Sequence, residues 1–174
     1  MIRDVREEDA EAICDIYNYY ITNSVITFEE TPVTVAEMQT RIQDLSTAFP
    51  WLVYEEQGII QGYAYASMWK SRCAYQFSAE VTIYFSHQAT GNGLGTELYQ
   101  ALIERLRGLS FHSIIGGVAL PNPASVALHE KLGFEKVAHF KEVGRKMNRW
   151  IDVGYWELII HIEQNPSTLN QMEK

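Results

Sequence analysis

The sequence predicts a mixed α/β (α+β) domain: a central twisted sheet with helices on both faces. Three observations predict it. Hydrophobic residues make up 47% of the 174-residue chain, enough to fill a core. Runs rich in β-branched and aromatic residues alternate with stretches of helical periodicity. The elements follow in the order strand, two helices, three strands, helix, strand, helix, two strands, with neither a repeat nor a linker, and such interleaving builds a layered sheet.

Each element has its own signal. Ile2 to Val5 reads as a short first strand. From Glu8 to Thr22, Ile13, Ile16, Tyr17, Tyr20 and Ile21 recur at the spacing of one helix face. A loop from Asn23 to Val33 follows. Thr34 and Glu37 make a capping box that opens a second helix carrying Met38, Ile42 and Leu45. Trp51–Glu55 and Ile59–Trp69 read as strands of a hairpin around Gly58, Lys70–Gln76 as a polar loop, and Phe77–Ser86 as the next strand. Leu94, Leu98, Leu102, Leu106 and Leu109 form one stripe of a third helix. His112–Val118 is a strand, Asn122–Leu132 a turn and short helix ended by Gly133, and Phe134–Glu142 and Ile151–His161 a closing pair of strands. One domain over 1–163 and a polar, frayed tail over 164–174 are expected.

Charge narrows the partners. Lys plus Arg total 14 against 22 Asp plus Glu, a net charge of −8. That excess argues against a nucleic-acid backbone as main partner, because little positive charge is available to displace counterions. Cys14 and Cys73 are not in a CxxC pair, and two isolated cysteines suit a reducing compartment. The N-terminus lacks the apolar core of a signal peptide, and no apolar run is long enough for a membrane span. A cytoplasmic protein is expected, with no membrane or nucleic-acid partner and no metal, since the histidines show no ligand spacing.

The strongest local signal is Thr90-Gly91-Asn92-Gly93-Leu94-Gly95, between a strand and the leucine-striped helix. Glycines let main-chain N–H groups approach a ligand without a Cβ in the way. A helix N-terminus adds unpaired donors and a positive dipole end, so the segment suits a pyrophosphate. A P-loop fails because no Lys follows the glycines. A dinucleotide fingerprint fails because Thr96 or Leu98 falls where its third glycine belongs.

With those excluded, the loop resembles the (Arg/Gln)-x-x-Gly-x-(Gly/Ala) segment of GNAT acetyltransferases. The chain from Ile2 to about Ile160 is similar to their phosphinothricin N-acetyltransferase group. The resemblance is carried, in order, by Tyr20-Ile21, Phe28, Pro50-Trp51-Leu52-Val53, Trp69-Lys70-x-Arg72-x-Ala74-Tyr75, Ala79-Glu80 and Gly93-Leu94-Gly95-x-x-Leu98-Tyr99. Leu120-Pro121-Asn122, Ser125-Val126-x-x-His129-Glu130-x-Leu132-Gly133 and Trp150-x-Asp152-Val153-Gly154 complete it. The resemblance implies a GNAT fold, acetyl-CoA as cosubstrate, a small-molecule amine as acceptor, and a homodimer. It implies that the main chain of Ile83, Tyr84 and Phe85 pairs with the pantetheine arm like an added strand. Thr90, Gly91, Asn92, Gly93, Leu94, Gly95 and Thr96 would hold the pyrophosphate, and Asn122 the pantetheine amides. Asn122 as a plain helix cap is the alternative. Thr90 stands where the family has Arg or Gln, which implies weaker or adjusted cofactor binding.

The chemistry needs a base. An alkyl amine of pKa about 10 is mostly protonated at pH 7, and three pKa units correspond to roughly 4 kcal/mol. Glu80, flanked by apolar strand residues, is the candidate general base; a carboxylate paired with Arg or Lys at the sheet rim is the alternative. His129, one turn after Ser125, is read as a second acid/base group linked to Glu80, against a satisfied core histidine. Tyr99 either lines the acceptor pocket or is a core aromatic. Phe28, Lys70, Arg72 and Tyr75 are candidate acceptor contacts, the cations suiting a carboxylate. The expected reaction is direct attack of a neutral amine on the thioester, with a main-chain N–H near Ile83 polarising the carbonyl. The expected acceptor is the α-amine of a small amino acid or analogue of the phosphinothricin or methionine sulfone/sulfoximine type. Acetylation of a peptide N-terminus or polyamine, and a catalytically silent acyl-CoA sensor, are the alternatives.

Overall fold

The computed structural model describes residues 1–89 and 93–160. The elements run β1 (Ile2–Asp4), α1 (Ala10–Asn23), α2 (Val35–Ser46), β2 (Trp51–Glu56), β3 (Ile59–Met68), β4 (Ser78–Phe85), α3 (Leu94–Gly108), β5 (Ser113–Leu120), α4 (Pro123–Lys131), β6 (Glu135–Lys146) and β7 (Arg149–Ile159). Single turns of 3-10 helix at Glu7–Asp9 and Cys73–Tyr75 complete the set. One seven-stranded sheet has the order β1-β2-β3-β4-β5-β7-β6. Among the described residues only the β4–β5 pair is parallel.

Local chemistry sets the boundaries. The Thr34 hydroxyl accepts from the Glu37 N–H at 3.2 Å, and the Glu37 carboxylate accepts from the Thr34 N–H at 2.8 Å, closing the expected capping box. The β2–β3 turn holds Gln57 at φ 52° and Gly58 at φ 80°, the doubly positive pair of a two-residue hairpin. Of the leucine stripe, Leu98, Leu102 and Leu106 are fully buried. Leu109 departs from it: α3 ends at Gly108, and Leu109 is 57% exposed.

The last hairpin differs from its sequence reading. β6 runs on to Lys146 rather than stopping at Glu142, and β7 begins at Arg149, with Met147 and Asn148 at φ 50° and 57° making the turn. The charges of Lys141–Arg149 imitate a loop, yet β6 is an edge strand, where charged side chains are common. A bulge between Phe140 and Gly144 is capped by Asp152, which accepts from the Glu142 N–H at 2.9 Å.

Two cores flank the sheet. Leu52, Ala64, Ala66, Val81, Ile114, Val118 and Trp156 pack against α3 on one face. Trp51, Val53 and Tyr63 pack against α1 and α2 on the other. The period-two alternation of β2 and β3 therefore sorts the helices to opposite faces. The loop between α1 and α2 reaches across to β6: Lys146, itself buried, donates to the Thr27 carbonyl at 2.8 Å. Among the described residues no helix is long and apolar enough to cross a membrane. The tail from 164 and the expected strand end at His161 lie outside the described residues.

Candidate active site

The site begins where the sheet stops being a sheet. β4 pairs with β5 only from Ser78–Glu80 against Ser113–Ile115, while it stays paired with β3 out to Phe85. Beyond Glu80 the two strands part. The Ser86 N–H donates to Gln61 on the β3 side, and the Phe77 carbonyl accepts from His112 on the β5 side. Alternation along the strand then turns the main-chain groups of Ile83 and Phe85 into the gap. It turns those of Tyr84 toward β3, opposite Tyr63. Tyr84 is thus a correction to the expected set: its main chain is committed to the neighbouring strand. The Phe85 carbonyl is also engaged, accepting from the Tyr20 hydroxyl at 2.7 Å.

The gap opens into a cleft of about 450 Å³ lined by β4, the start of α3, the end of β5 and α4. Gly93 caps α3 at φ 78°, a left-handed conformation that favours glycine. The first N–H groups of a helix have no intrahelical acceptor, so Leu94 and Gly95 bring donors to the cleft wall. A methyl placed on Gly95 would meet only Leu128 and Phe85, at 3.7 and 3.9 Å, so the protein itself leaves room there. Thr96 lines the same end, and Lys131 reaches its hydroxyl at 3.4 Å, adding a cation. Thr90, Gly91 and Asn92 lie outside the described residues. Asn122 caps α4: its side-chain oxygen accepts from the Ser125 N–H at 3.2 Å, leaving the amide NH2 for the cleft it lines. These groups fit an acyl-coenzyme A: an open strand edge for the amide arm, and helix donors with a lysine for the diphosphate.

Glu80 sits where the strands part, half-buried, with no hydrogen bond or ion pair to a described residue. Burial pushes its carboxyl above the ordinary value of 4.5. Gly117 makes room for it. A methyl on Gly117 would lie 3.5 Å from Glu80 Oε1 and 3.1 Å from the Tyr155 ring. Gly117 is also the one exposed residue of an otherwise covered β5, so the floor beside Glu80 is open.

His129 faces the other way. A methyl on the preceding residue, Gly116, would collide with its ring. Neighbouring residues of a strand point to opposite faces, so Gly116 seats His129 on the α3 and α4 side and Gly117 seats Glu80 on the α1 and α2 side. His129 is buried. Its Nδ1 lies 2.7 Å from the Ser125 carbonyl, an acceptor only, so Nδ1 carries the proton. Nε2 then accepts from the Tyr99 hydroxyl at 3.0 Å. Burial lowers the imidazole pKa and keeps the ring neutral. The expected link from His129 to Glu80 is therefore corrected: the ring is bonded to Tyr99 and Ser125. Tyr99 is fully buried, stacked on Phe134 at 5.8 Å with its hydroxyl spent on His129, which makes it a core aromatic beneath the cleft rather than an acceptor contact.

None of the acceptor candidates Phe28, Lys70, Arg72 and Tyr75 lines this cleft. Phe28 packs over Gly144 and stays 44% exposed. Lys70 and Arg72 are exposed, and Tyr75 ends the short 3-10 turn between them and β4. None of the three bonds through its side chain to another described residue. Lys70 stands 5.3 Å from the Trp69 ring centre. The sequence reading missed Lys131, Gly116, Gly117 and Tyr155. The Gly-Gly pair inside a strand was their one visible signal, since glycine there marks a close approach.

Comparison with known proteins agrees with this architecture. The profile described as "Acetyltransferase (GNAT) domain" matches residues 2–154. The phosphinothricin N-acetyltransferase of Streptomyces viridochromogenes is 39% identical over 156 residues, spanning 90% of this chain and 85% of its own. The L-methionine sulfoximine/L-methionine sulfone acetyltransferase of Pseudomonas aeruginosa is 34% identical over 159 residues, covering 90% and 92%. The crystal structure of a GNAT superfamily phosphinothricin acetyltransferase from Sinorhizobium meliloti in complex with AcCoA superposes with a TM-score of 0.89 at 37% identity, covering 92% of this chain and 88% of that one. With a parted sheet, a glycine-capped donor helix and a profile spanning nearly the whole fold, this chain belongs to the GNAT acetyltransferase family.

Proposed function

We infer that the protein is an acetyl-CoA-dependent N-acetyltransferase acting on the α-amine of a small amino acid or analogue. The observation that carries this reading is the unpaired edge of β4 beside a desolvated, unbonded Glu80, with helix donors at the far end of the same cleft. The relatives named above, which act on phosphinothricin and on methionine sulfoximine or sulfone, support the acceptor class.

Acetyl-CoA supplies the acetyl group as a thioester. Leu94, Gly95, Thr96 and Lys131 receive its diphosphate, and the main chain of Ile83 and the Asn122 amide receive the pantetheine arm. Glu80 takes the proton from the acceptor ammonium, so that a neutral amine attacks the thioester carbon directly; the C–N bond forms, the C–S bond breaks, and coenzyme A leaves as the thiol with the second proton that the nitrogen sheds. An Ile83 N–H turned into the gap donates toward the carbonyl oxygen as negative charge grows there. The neutral His129 holds the Tyr99 hydroxyl and the first turn of α4 in place on the opposite side. The exposed cations Lys70 and Arg72 suit an acceptor carboxylate.

We assign the protein to the cytoplasm, where its two free cysteines stay reduced, and to a homodimer; a light-scattering mass of a single chain overturns the latter.

Thiol release from acetyl-CoA across free amino acids, short peptides and polyamines tests the activity. Release with the amino-acid panel is expected. Release only with peptides or polyamines moves the acceptor to those classes, and binding of acetyl-CoA with no release makes the protein a silent binder. Gly95→Ala tests the donor side. Because the added methyl meets only ordinary contacts within the protein, the melting temperature stays put. KM for acetyl-CoA rises about tenfold, which corresponds to about 1.4 kcal/mol. An unchanged KM would remove Gly95 from the diphosphate site.

A further inference from the structure

Lys146 is a buried cation that the acetyl-transfer chemistry leaves unused. It stands at the tip of the edge hairpin and is only 3% exposed, although a lysine ammonium rarely gives up its water. Among the described residues its one side-chain hydrogen bond is the 2.8 Å contact with the Thr27 carbonyl, in the loop between α1 and α2. Glu29 and Glu30 offset its charge without bonding to it. Desolvating an ammonium is costly, and a Met would fill much the same space. The lysine therefore contributes its bond to the loop, not packing alone.

Gly144, two residues earlier, is the other buried residue of β6, and strand alternation turns both toward the loop. A methyl on Gly144 would collide with the Phe28 ring, so the glycine is that ring's seat. The loop is held at consecutive residues: Thr27 by Lys146, Phe28 by Gly144, and Glu29 by Arg41 of α2, at 2.8 and 3.1 Å.

This staple holds one wall of the cleft. Ile26, next to Thr27, lines that cleft. The Thr27 hydroxyl lies 2.8 Å from the Tyr17 hydroxyl, and the Tyr17 ring meets Tyr84 edge-on with centroids 5.2 Å apart. Tyr84 also lines the cleft, and its side chain shares a face of β4 with Glu80, four residues back. The donors at the start of α3 belong to the opposite face.

We propose that Lys146, with Gly144, staples the loop between α1 and α2 to the hairpin tip and acts as a positioning residue for the cleft wall that faces the acceptor amine. The proposal rests on the N-acetyltransferase reading, which gives the Glu80 face to the acceptor.

Lys146→Met and Gly144→Ala are compared with wild type in two measurements. One is steady-state kinetics with phosphinothricin and L-methionine sulfone as acceptors; the other is amide hydrogen exchange. Lys146→Met is expected to speed exchange in residues 24–34 and to raise acceptor KM, each about tenfold. KM for acetyl-CoA and exchange in α3 stay where they were. Gly144→Ala displaces a ring that is already 44% exposed, so it loosens the loop at its other anchor should Lys146→Met fold poorly, and it produces the same pattern. Unchanged exchange in 24–34, an unmoved acceptor KM, or KM values for acceptor and acetyl-CoA that rise together overturn the staple and leave the acetyltransferase reading intact. Wild type that releases no thiol with any amine overturns that reading, and the positioning role with it.

Discussion

Glu80→Gln is expected to lower kcat by about 10²–10⁴-fold near pH 7 and to leave acetyl-CoA affinity unchanged, the range that general base catalysis supplies. The amide keeps the shape of the carboxylate and cannot accept a proton. The Glu80 side chain bonds to no other described residue, so the loss falls on chemistry rather than stability. The pH dependence carries a sign. Burial raises the Glu80 pKa, and the base form is the unprotonated one. Wild-type kcat/KM therefore falls as pH drops through that raised value, and the Gln variant lacks this acidic limb. A pH–rate profile measured on both enzymes checks it; identical profiles remove Glu80 from the base role.

Gly116→Ala is expected to destabilise the protein by about 1–3 kcal/mol, the usual cost of overpacking a filled core. That lowers the melting temperature by roughly 2–4 °C per kcal/mol for a domain of this size. The new methyl would fall within 2.7 Å of His129 Cδ2 and nearer still to Nε2, the atom that accepts from Tyr99. The imidazole cannot yield, because its Nδ1 is tied to the Ser125 carbonyl at 2.7 Å. Gly117→Ala makes the matched control. Its methyl points to the opposite face and meets the Tyr155 ring at 3.1 Å and Glu80 at 3.5 Å, so it costs activity more than stability. Thermal melts of both variants, set beside their kcat values, separate the two roles; equal melts and equal rates would mean that the glycine pair seats neither residue.

Much of the site was legible before any coordinates. Glycines ahead of a leucine-striped helix point to an anion site, because the donors and the missing Cβ are local properties of the chain. Glu80 drew attention as a lone acid among apolar strand residues. His129 is legible only in part: its spacing from Ser125 is visible in the sequence, but which face of the sheet α4 packs on is not. Tyr99 is the same case, one step off a helical stripe and therefore assignable to core or pocket only once the neighbouring helix is in place.

The sequence by itself determined the order of the elements, the capping of α2, the turn at Gly58 and the helix that opens at Gly93, since each depends on residues within a few positions of one another. Only the tertiary structure decided where β4 leaves β5, and hence that Glu80 stands at the fork with Ile83 open beyond it. It also decided that Gly116 and Gly117 send His129 and Glu80 to opposite faces, and that Tyr155, more than seventy positions along the chain, closes over the same space as the carboxylate. Strand separation and cross-sheet contacts arise from packing between distant segments. No local pattern records them, because the same residues would satisfy their own propensities in a sheet that never parted.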